Sequence, residues 1–307
     1  MKVIAGCAES KGKIVELEAM AAALEATGDY RLLRRLVPRS VITPPDGEAT
    51  QMGLFVDVET TGLDPECCEI IELAMIPFTY SEDGRIFEIH DPFHGLREPR
   101  EPISAEITKI TGIDDSMVAG NSIGVDAVGQ FIENVDLVVA HNASFDRQFL
   151  ERFCPAFEHK PWGCSNSQVD WKAEGFEGTR LGYLAAGVGY FYDQHRALND
   201  CYAAIELLAI RLPKCGEIAF KSLLDRARQP SWRIWASYAP FDLKDVLRGR
   251  GYRWNASGHG PKRAWFIDVS DEQKEAELAF LRSEIYRRDA ELPAERIDAY
   301  NRFSARI

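Results

Sequence analysis

No stretch of the sequence approaches 18 consecutive apolar residues, so no membrane-spanning helix is expected. Met1 to Met20 lack the apolar core of a signal peptide and carry three glutamates, which transit peptides avoid; the expectation is a cytoplasmic protein. No Cys-x-x-C pair occurs among the seven cysteines, which argues against a zinc ribbon or a redox motif. They read as reduced thiols, mostly core filler. Internal repeats and low-complexity tracts are missing too. With 46% hydrophobic and 27% charged residues, a wholly disordered chain is excluded.

Positive charge is scarce, and unevenly so. The 307 residues hold 36 basic and 48 acidic side chains, a net charge of −12. Residues 216–307 carry 17 basic against 14 acidic, which leaves 19 against 34 for the rest. An acidic first part does not recruit nucleic acid by net charge, but it can hold divalent metals. The length suits one medium domain with a smaller companion.

The first 50 residues read as a helical arm. Ile14, Leu17, Ala21 and Leu24 are at helical spacing, with Gly28 as a stop. Asp29 can cap a second short helix through Leu32, Leu33 and Leu36, ended by Pro38. A domain is expected over 51–212. Leu54 to Glu59, Ile70 to Tyr80 and Arg85 to His90 read as strands, the last two joined by a turn at Glu82-Asp83-Gly84. Helices are expected over Pro102–Ile113, ended by Gly112, and over Val125–Val135, Ser144–Phe153 and Leu181–Ala186. A long helix runs through Leu198, Cys201, Ile205 and Leu208, and Leu137 to Ala140 is a short strand. This order predicts an α/β domain with a mixed sheet flanked by helices. Residues 212–232 read as a boundary. Beyond it, a small α+β domain over 231–307 is expected: strands Arg233–Ser237, Tyr252–Asn255 and Ala264–Val269, with helices Phe241–Arg248 and Asp271–Arg288.

Three acidic elements stand out. Asp57 and Glu59 project to one side of a strand whose Phe55, Val56 and Val58 suit burial on both faces. Two carboxylates there are costly unless a cation pairs with them. Taken alone, the pair also fits two solvated acids at a strand end. In His141-Asn142-Ala143-Ser144-Phe145-Asp146 a strand gives way to a helix, with Ser144 as the N-cap and Asp146 in the first turn. Asp146 alone fits an acid favoured by the helix dipole, and His141 alone fits a core histidine. In His195-Arg196-Ala197-Leu198-Asn199-Asp200, five helical positions turn the ends about 140° apart. Both face one site only if His195 sits in a loop and Asp200 in the helix. Gly189 to Gln194 reads as that loop, and a loop histidine over a metal cluster suits a general base.

In this order, Phe55-Val56-Asp57-Val58-Glu59-Thr60-Thr61-Gly62-Leu63, His141 to Asp146 and His195 to Asp200 resemble the DEDDh (DnaQ-like) 3′–5′ exonuclease family. The family includes the proofreading ε subunit of the bacterial replicative polymerase, and Ile110-Thr111-Gly112-Ile113 looks like a segment of that branch. The resemblance covers residues 52–210. It implies a ribonuclease H-like five-stranded mixed sheet. It also implies that Asp57, Glu59, Asp146 and Asp200 hold two divalent ions, Mg²⁺ or Mn²⁺, while His195 takes the proton of the attacking water. The backbone at Thr60 and Thr61 would lie near the terminal nucleotide, with Leu63 against its base. Phe145 would pack on sugar or base, although core packing fits it as well. Asn142 would bond a phosphate or a neighbouring loop, and His141 completes the substrate-binding set. The implied substrate is the 3′ end of single-stranded nucleic acid, DNA ahead of RNA, with a replication or repair protein as partner. An oligoribonuclease-like enzyme is the alternative; a silent nucleic-acid adaptor would call for missing ligands, and the five active positions are all present.

In 231–307 and just before it, Trp232, Trp235, Tyr238, Tyr252, Trp254 and Trp265 interleave with Arg226, Arg228, Arg233, Lys244, Arg248, Arg250, Arg253, Lys262 and Arg263. Basic groups that track phosphates beside aromatics that stack bases suit a single-strand platform. The same aromatics also suit the core of a small domain.

Overall fold

The computed structural model describes residues 16–255 and 263–307. Ile14 and Lys262, named above, lie outside them, as does most of Met1 to Met20. Residues 16–26 form helix α1, and Gly28 follows with φ 78°. The second helix expected after Asp29 does not form. Arg34–Arg35 is instead strand β1, paired in parallel with β8 (Tyr190–Phe191). Pairing with a distant segment outweighs the local cap: Arg34 N–H donates to Gly189 O at 2.8 Å and Leu36 N–H to Phe191 O at 2.9 Å.

The main sheet is built on β2 (Gln51–Thr60) and β3 (Ile70–Tyr80), antiparallel along their whole length. The outer edge of β3 is shared by β4 (Ile86–Ile89) and β5 (Phe93–Leu96). Helices α2 (Ala105–Thr111), α3 (Asp115–Val118) and α4 (Val125–Phe131) follow. Gly112 closes α2 in the left-handed conformation, as expected of a C-terminal glycine. Strand β6 (Leu137–Ala140) then joins the other side of β2 in parallel. After α5 (Ala143–Phe153), β7 (Trp162–Cys164) joins β6 in parallel. The order β4/β5–β3–β2–β6–β7 has five positions filled by six strands. It is a ribonuclease H-like mixed sheet.

Alternation along β2 sorts the two cores. Leu54, Val56 and Val58 pack with α4 and α5, while Phe55 packs with α7 (Ala197–Ala209), which follows α6 (Leu181–Gly187). Helix α8 (Ala219–Arg228) lies within the expected boundary at 212–232. Its Phe220, Leu223 and Leu224 are buried in the core that holds Phe55, so the boundary placed at 212 falls inside this packing unit. Gly84, at φ +83°, turns the β3–β4 hairpin against α8, where a Cβ would meet Lys221 N at 2.5 Å.

The C-terminal module is a four-stranded antiparallel sheet ordered β10–β11–β9–β12. Its elements are β9 (Ser231–Ala236), α9 (Lys244–Gly249), β10 (Arg253–Trp254), β11 (Trp265–Ser270), α10 (Lys274–Phe280) and β12 (Ala294–Ile297). The helix expected over Asp271–Arg288 is shorter at its start and passes into a π-helical turn at Leu281–Tyr286. The chain then returns to the nuclease part. Arg147 of α5, fully buried, donates to Tyr300 O at 2.6 Å and Arg302 O at 2.7 Å and pairs with Glu151 at 2.7 Å. Arg302 in turn donates to the carbonyls of Arg226, Ala227 and Gln229, which the last turn of α8 leaves without helical partners. Among the described residues, no helix is long and apolar enough to cross a membrane.

Candidate active site

The carboxyl ends of β2 and β6 lie side by side, and three elements converge there. Asp57 and Glu59 extend from β2 toward α7. Asp200 comes from the first turn of α7, and one carboxylate oxygen from each of these three residues lies within 4.8 Å of the others. Asp146, in the first turn of α5, is 3% exposed and accepts a hydrogen bond from Val58 N–H at 3.2 Å. That bond seats α5 against the strand that carries the other acids. Asn142, not Ser144, is the N-cap residue of α5; Ser144 Oγ lies inside the first turn and donates to Asn142 Oδ1 at 3.1 Å.

His195 and Asp200 face the same cavity in the way their spacing required. His195 precedes the helix with φ 61°, Arg196 is the N-cap, and the histidine side chain is exposed. A left-handed non-glycine residue is uncommon, and here it turns the imidazole over the acids. The cavity encloses about 830 Å³ and is lined by Asp57, Glu59, Asp146, Asp200 and His195 together with His141, Asn142 and Phe145. Phe145 also rests on Phe149, with centroids 4.9 Å apart. His141 has both ring nitrogens engaged, by Ser165 Oγ at 2.8 Å and Thr179 O at 2.7 Å, and burial lowers its pKa. Thr60, Thr61 and Leu63 stand outside this lining. Thr60 Oγ donates to Gly62 O at 2.6 Å, Thr61 Oγ accepts from Glu69 N–H at 2.9 Å, and Leu63 is 84% exposed on the turn they shape.

The acids are hard to ionise together. Burial, followed by the charges of Asp146, Asp200 and Glu59, raises Asp57 well above the usual carboxylate range. Burial, then Asp200 and Glu72, pushes Glu59 up to about 8, with Arg196 offsetting part of this. Burial pushes Asp146 up to about 7 against the pull of its bond from Val58. Asp200 is raised by burial too, although the hydroxyl of Tyr192 and the charge of His195 oppose the rise. Cys201 lies behind them, its thiol raised well above the normal range by burial and then by Asp57, with Sγ directed at Phe55 O and Ala74 O. Crowded, partly desolvated carboxylates with no thiolate among them are the donor set that hard divalent cations prefer.

Three residues that the motif reading passed over support the site. Tyr192 O–H donates to Asp200 Oδ1 at 2.6 Å. Glu72 of β3 lies directly across from Glu59 and is fully buried. It accepts hydrogen bonds from Arg196 Nη2 at 2.9 Å and Ala197 N–H at 3.0 Å, with His94 Nε2 at 2.8 Å. Burial alone would raise this carboxyl, but His94, Arg196 and the amide bring it down to about 2. Glu72 therefore stays charged and clamps the start of α7, where His195 and Asp200 are set. A single acid inside the apolar run Ile70-Ile71-Glu72-Leu73 was the available signal.

The family model described as Exonuclease, of the RNase T type, matches residues 54–208. Among curated proteins, DNA polymerase III PolC-type of Caldanaerobacter subterraneus subsp. tengcongensis is 31% identical over 201 residues, 59% of this chain and 13% of that protein. The PolC-type polymerase of Thermotoga maritima is 37% identical over 213 residues, 66% of this chain and 15% of that one. The chain thus spans only a small part of these relatives. Among solved structures, exonuclease X in complex with 5′ overhanging duplex DNA is 26% identical, with a TM-score of 0.40, over 55% of this chain and 99% of that one. Escherichia coli exonuclease I in complex with a dA16 oligonucleotide is 15% identical, with a TM-score of 0.48, over 76% and 71%. With the family model matching across the sheet and all three acidic elements, the chain belongs to the RNase T exonuclease family, the DEDDh (DnaQ-like) 3′–5′ exonucleases.

Proposed function

We propose that this chain removes nucleotides one at a time from the 3′ end of single-stranded DNA, with Asp57, Glu59, Asp146 and Asp200 holding two divalent ions, Mg²⁺ or Mn²⁺, and His195 acting as general base. The observation that carries the reading is the convergence of Asp57, Glu59 and Asp200 within 4.8 Å beneath a histidine held outside the helix. Bound there, the cations would supply positive charge opposite the charge that develops on the scissile phosphate. The chain's own groups do the rest. Imidazole of His195, on the open side of the cavity, accepts the proton of the attacking water. The water oxygen bonds to phosphorus, the bond from phosphorus to the 3′ oxygen of the preceding nucleotide breaks with its electron pair going to that oxygen, which takes a proton from solvent to become the new 3′-hydroxyl, and a nucleoside 5′-monophosphate leaves. Asn142 and Phe145 line the cavity where the last nucleotide would lie, Phe145 offering a face to sugar or base. Thr60, Thr61 and Leu63 would reach a substrate only from the neighbouring turn.

DNA is favoured over RNA because the PolC-type relatives are DNA polymerases by name, and the same likeness favours a replication or repair partner. A Mg²⁺-dependent time course on matched 3′-labelled and 5′-labelled DNA and RNA strands tests this. Loss of the 3′ label as mononucleotide, with a ladder of shortened 5′-labelled DNA, is expected. Faster digestion of RNA would reverse the sugar assignment, and release of the 5′ label as mononucleotide before the 3′ label is lost would overturn the direction.

A further inference from the structure

A second cavity of about 780 Å³ lies between the nuclease part and the C-terminal module. Asn142 and Asn166, which follow β6 and β7, line both this groove and the active-site cavity, so the two adjoin. The groove's charge contrasts with that of the whole chain. Among the described residues, four arginines, at 226, 233, 253 and 302, line it with one aspartate, Asp268, in a protein of net charge −12; Arg302 is engaged by backbone carbonyls and Arg233 also donates to Ile307 O at 3.0 Å, which leaves Arg226 and Arg253 facing outward. Arg233 and Arg253 share Asp268, at 2.8 and 2.9 Å, and both lie near the ring of Phe266, at 4.5 and 4.7 Å from its centroid. Phe266 pairs across the strands with Trp235, centroids 5.2 Å apart. Trp235 lies at the wall of the groove, 1% exposed, and among the described residues its buried Nε1–H has no acceptor. A buried donor without a partner is rare in a native fold and marks a place where an acceptor is missing.

We propose that this groove is the bed of the incoming strand. A single strand of nucleic acid whose 3′ end reaches the carboxylates passes Asn142 and Asn166. It lays its phosphates along Arg226 and Arg253 and sets a base against Phe266. Arginines that follow a backbone beside an aromatic platform give sequence-tolerant binding, which an exonuclease moving along a strand requires. The assignment rests on the nuclease reading above for the position of the 3′ end.

Hydrolysis of a dinucleotide and of a 20-mer by the full chain tests it. Arg226 and Arg253 are about half and two-thirds exposed, and their ion pairs to Asp170 and Asp268 are at the surface, so the double variant Arg226→Ala/Arg253→Ala is expected to fold. On the 20-mer its KM should rise about 10-fold with kcat unchanged. The slope of log affinity against log salt should flatten by about 0.7 for each phosphate left without its arginine. Kinetics on the dinucleotide should match wild type, because it ends before the groove. Phe266→Leu is the second variant: it should raise KM on the 20-mer and leave the salt slope alone. An unchanged KM on the 20-mer in both variants, or an equal rise on the dinucleotide, overturns the groove assignment and leaves the nuclease reading intact. Wild type inert on both substrates would instead overturn the nuclease reading. The groove is then decided by anisotropy of a labelled 20-mer in EDTA, where failure of wild type to bind, or equal binding by the double variant, overturns it.

Discussion

Glu59→Gln is expected to make the metal-free protein more stable while removing its activity. Glu59 titrates at about 8 in the fold, against 4.5 for an ordinary glutamate. Its folded pKa is therefore raised, so between these values the folded protein holds a proton that the unfolded chain has released. Stability then falls as pH rises from about 4.5 to about 8 and levels off above. The full span is worth about 5 kcal/mol at 1.4 kcal/mol per pH unit, a ceiling that water in the open cavity reduces to about 1–3 kcal/mol. Glutamine keeps the shape and loses the charge, so the fall with pH should shrink accordingly. Thermal melts in EDTA at pH 5, 7 and 8.5 measure it. The variant should match wild type at pH 5 and melt about 2–6 °C higher at pH 8.5, at roughly 2 °C per kcal/mol for a chain of this size. Excess Mn²⁺ should reverse the order, because wild type gains the ligand's binding free energy and the variant gains less. A gap that does not grow with pH, or a variant that melts below wild type at pH 8.5 in EDTA, would refute the argument that the site stores like-charge repulsion for metal to relieve.

Three further outcomes are expected. Asp57→Ala or Asp200→Ala should lower exonuclease turnover at least about 1,000-fold with the fold retained by circular dichroism; full activity in either would remove the metal-site assignment. His195→Ala should reduce kcat by about 100- to 10,000-fold with Mn²⁺ affinity by calorimetry unchanged; a parallel loss of affinity would make His195 a ligand, not a base. Glu72→Gln should destabilise the protein by about 3 kcal/mol at pH 7, since the wild-type carboxyl titrates at about 2 instead of 4.5. Because that pKa is depressed, the contribution is present above about 4.5 and lost as pH falls toward 2, so urea unfolding of the two proteins should converge in acid. A constant gap down to pH 2 would contradict the clamp.

Much of this site was legible because its chemistry is local. Asp57 and Glu59 sit two apart on a strand, and the five-residue offset of His195 and Asp200 demanded the loop-to-helix change that the structure has at Arg196. Strand β3 was legible over Ile70–Tyr80, and Gly112 as the stop of α2, for the same reason. What escaped depends on distant partners. Glu72 gains its meaning from Arg196, 124 positions later, and Arg34–Arg35 becomes a strand only because Tyr190–Phe191 is beside it. The apolar stripe of α8 was present in Phe220, Leu223 and Leu224, but residues 212–232 read as a boundary, because the core this stripe joins is built from residues far away in the chain. In the basic module the aromatics divide: Trp235 and Tyr252 are buried, whereas Trp254 and Tyr238 are 50% and 84% exposed. Sequence alone does not separate these roles.

Arg147 ties the nuclease part to the chain that follows the last strand of the module. Its guanidinium is sealed inside the former and satisfied by carbonyls that the chain delivers about 150 positions later, after the module is complete. Amputating the module and the chain after it would leave that guanidinium with Glu151 as its partner and without those carbonyls, a loss of about 1.5–3 kcal/mol per charged hydrogen bond. The two lobes should consequently melt in one transition, and the distance between them is fixed by a bolt rather than left to a hinge.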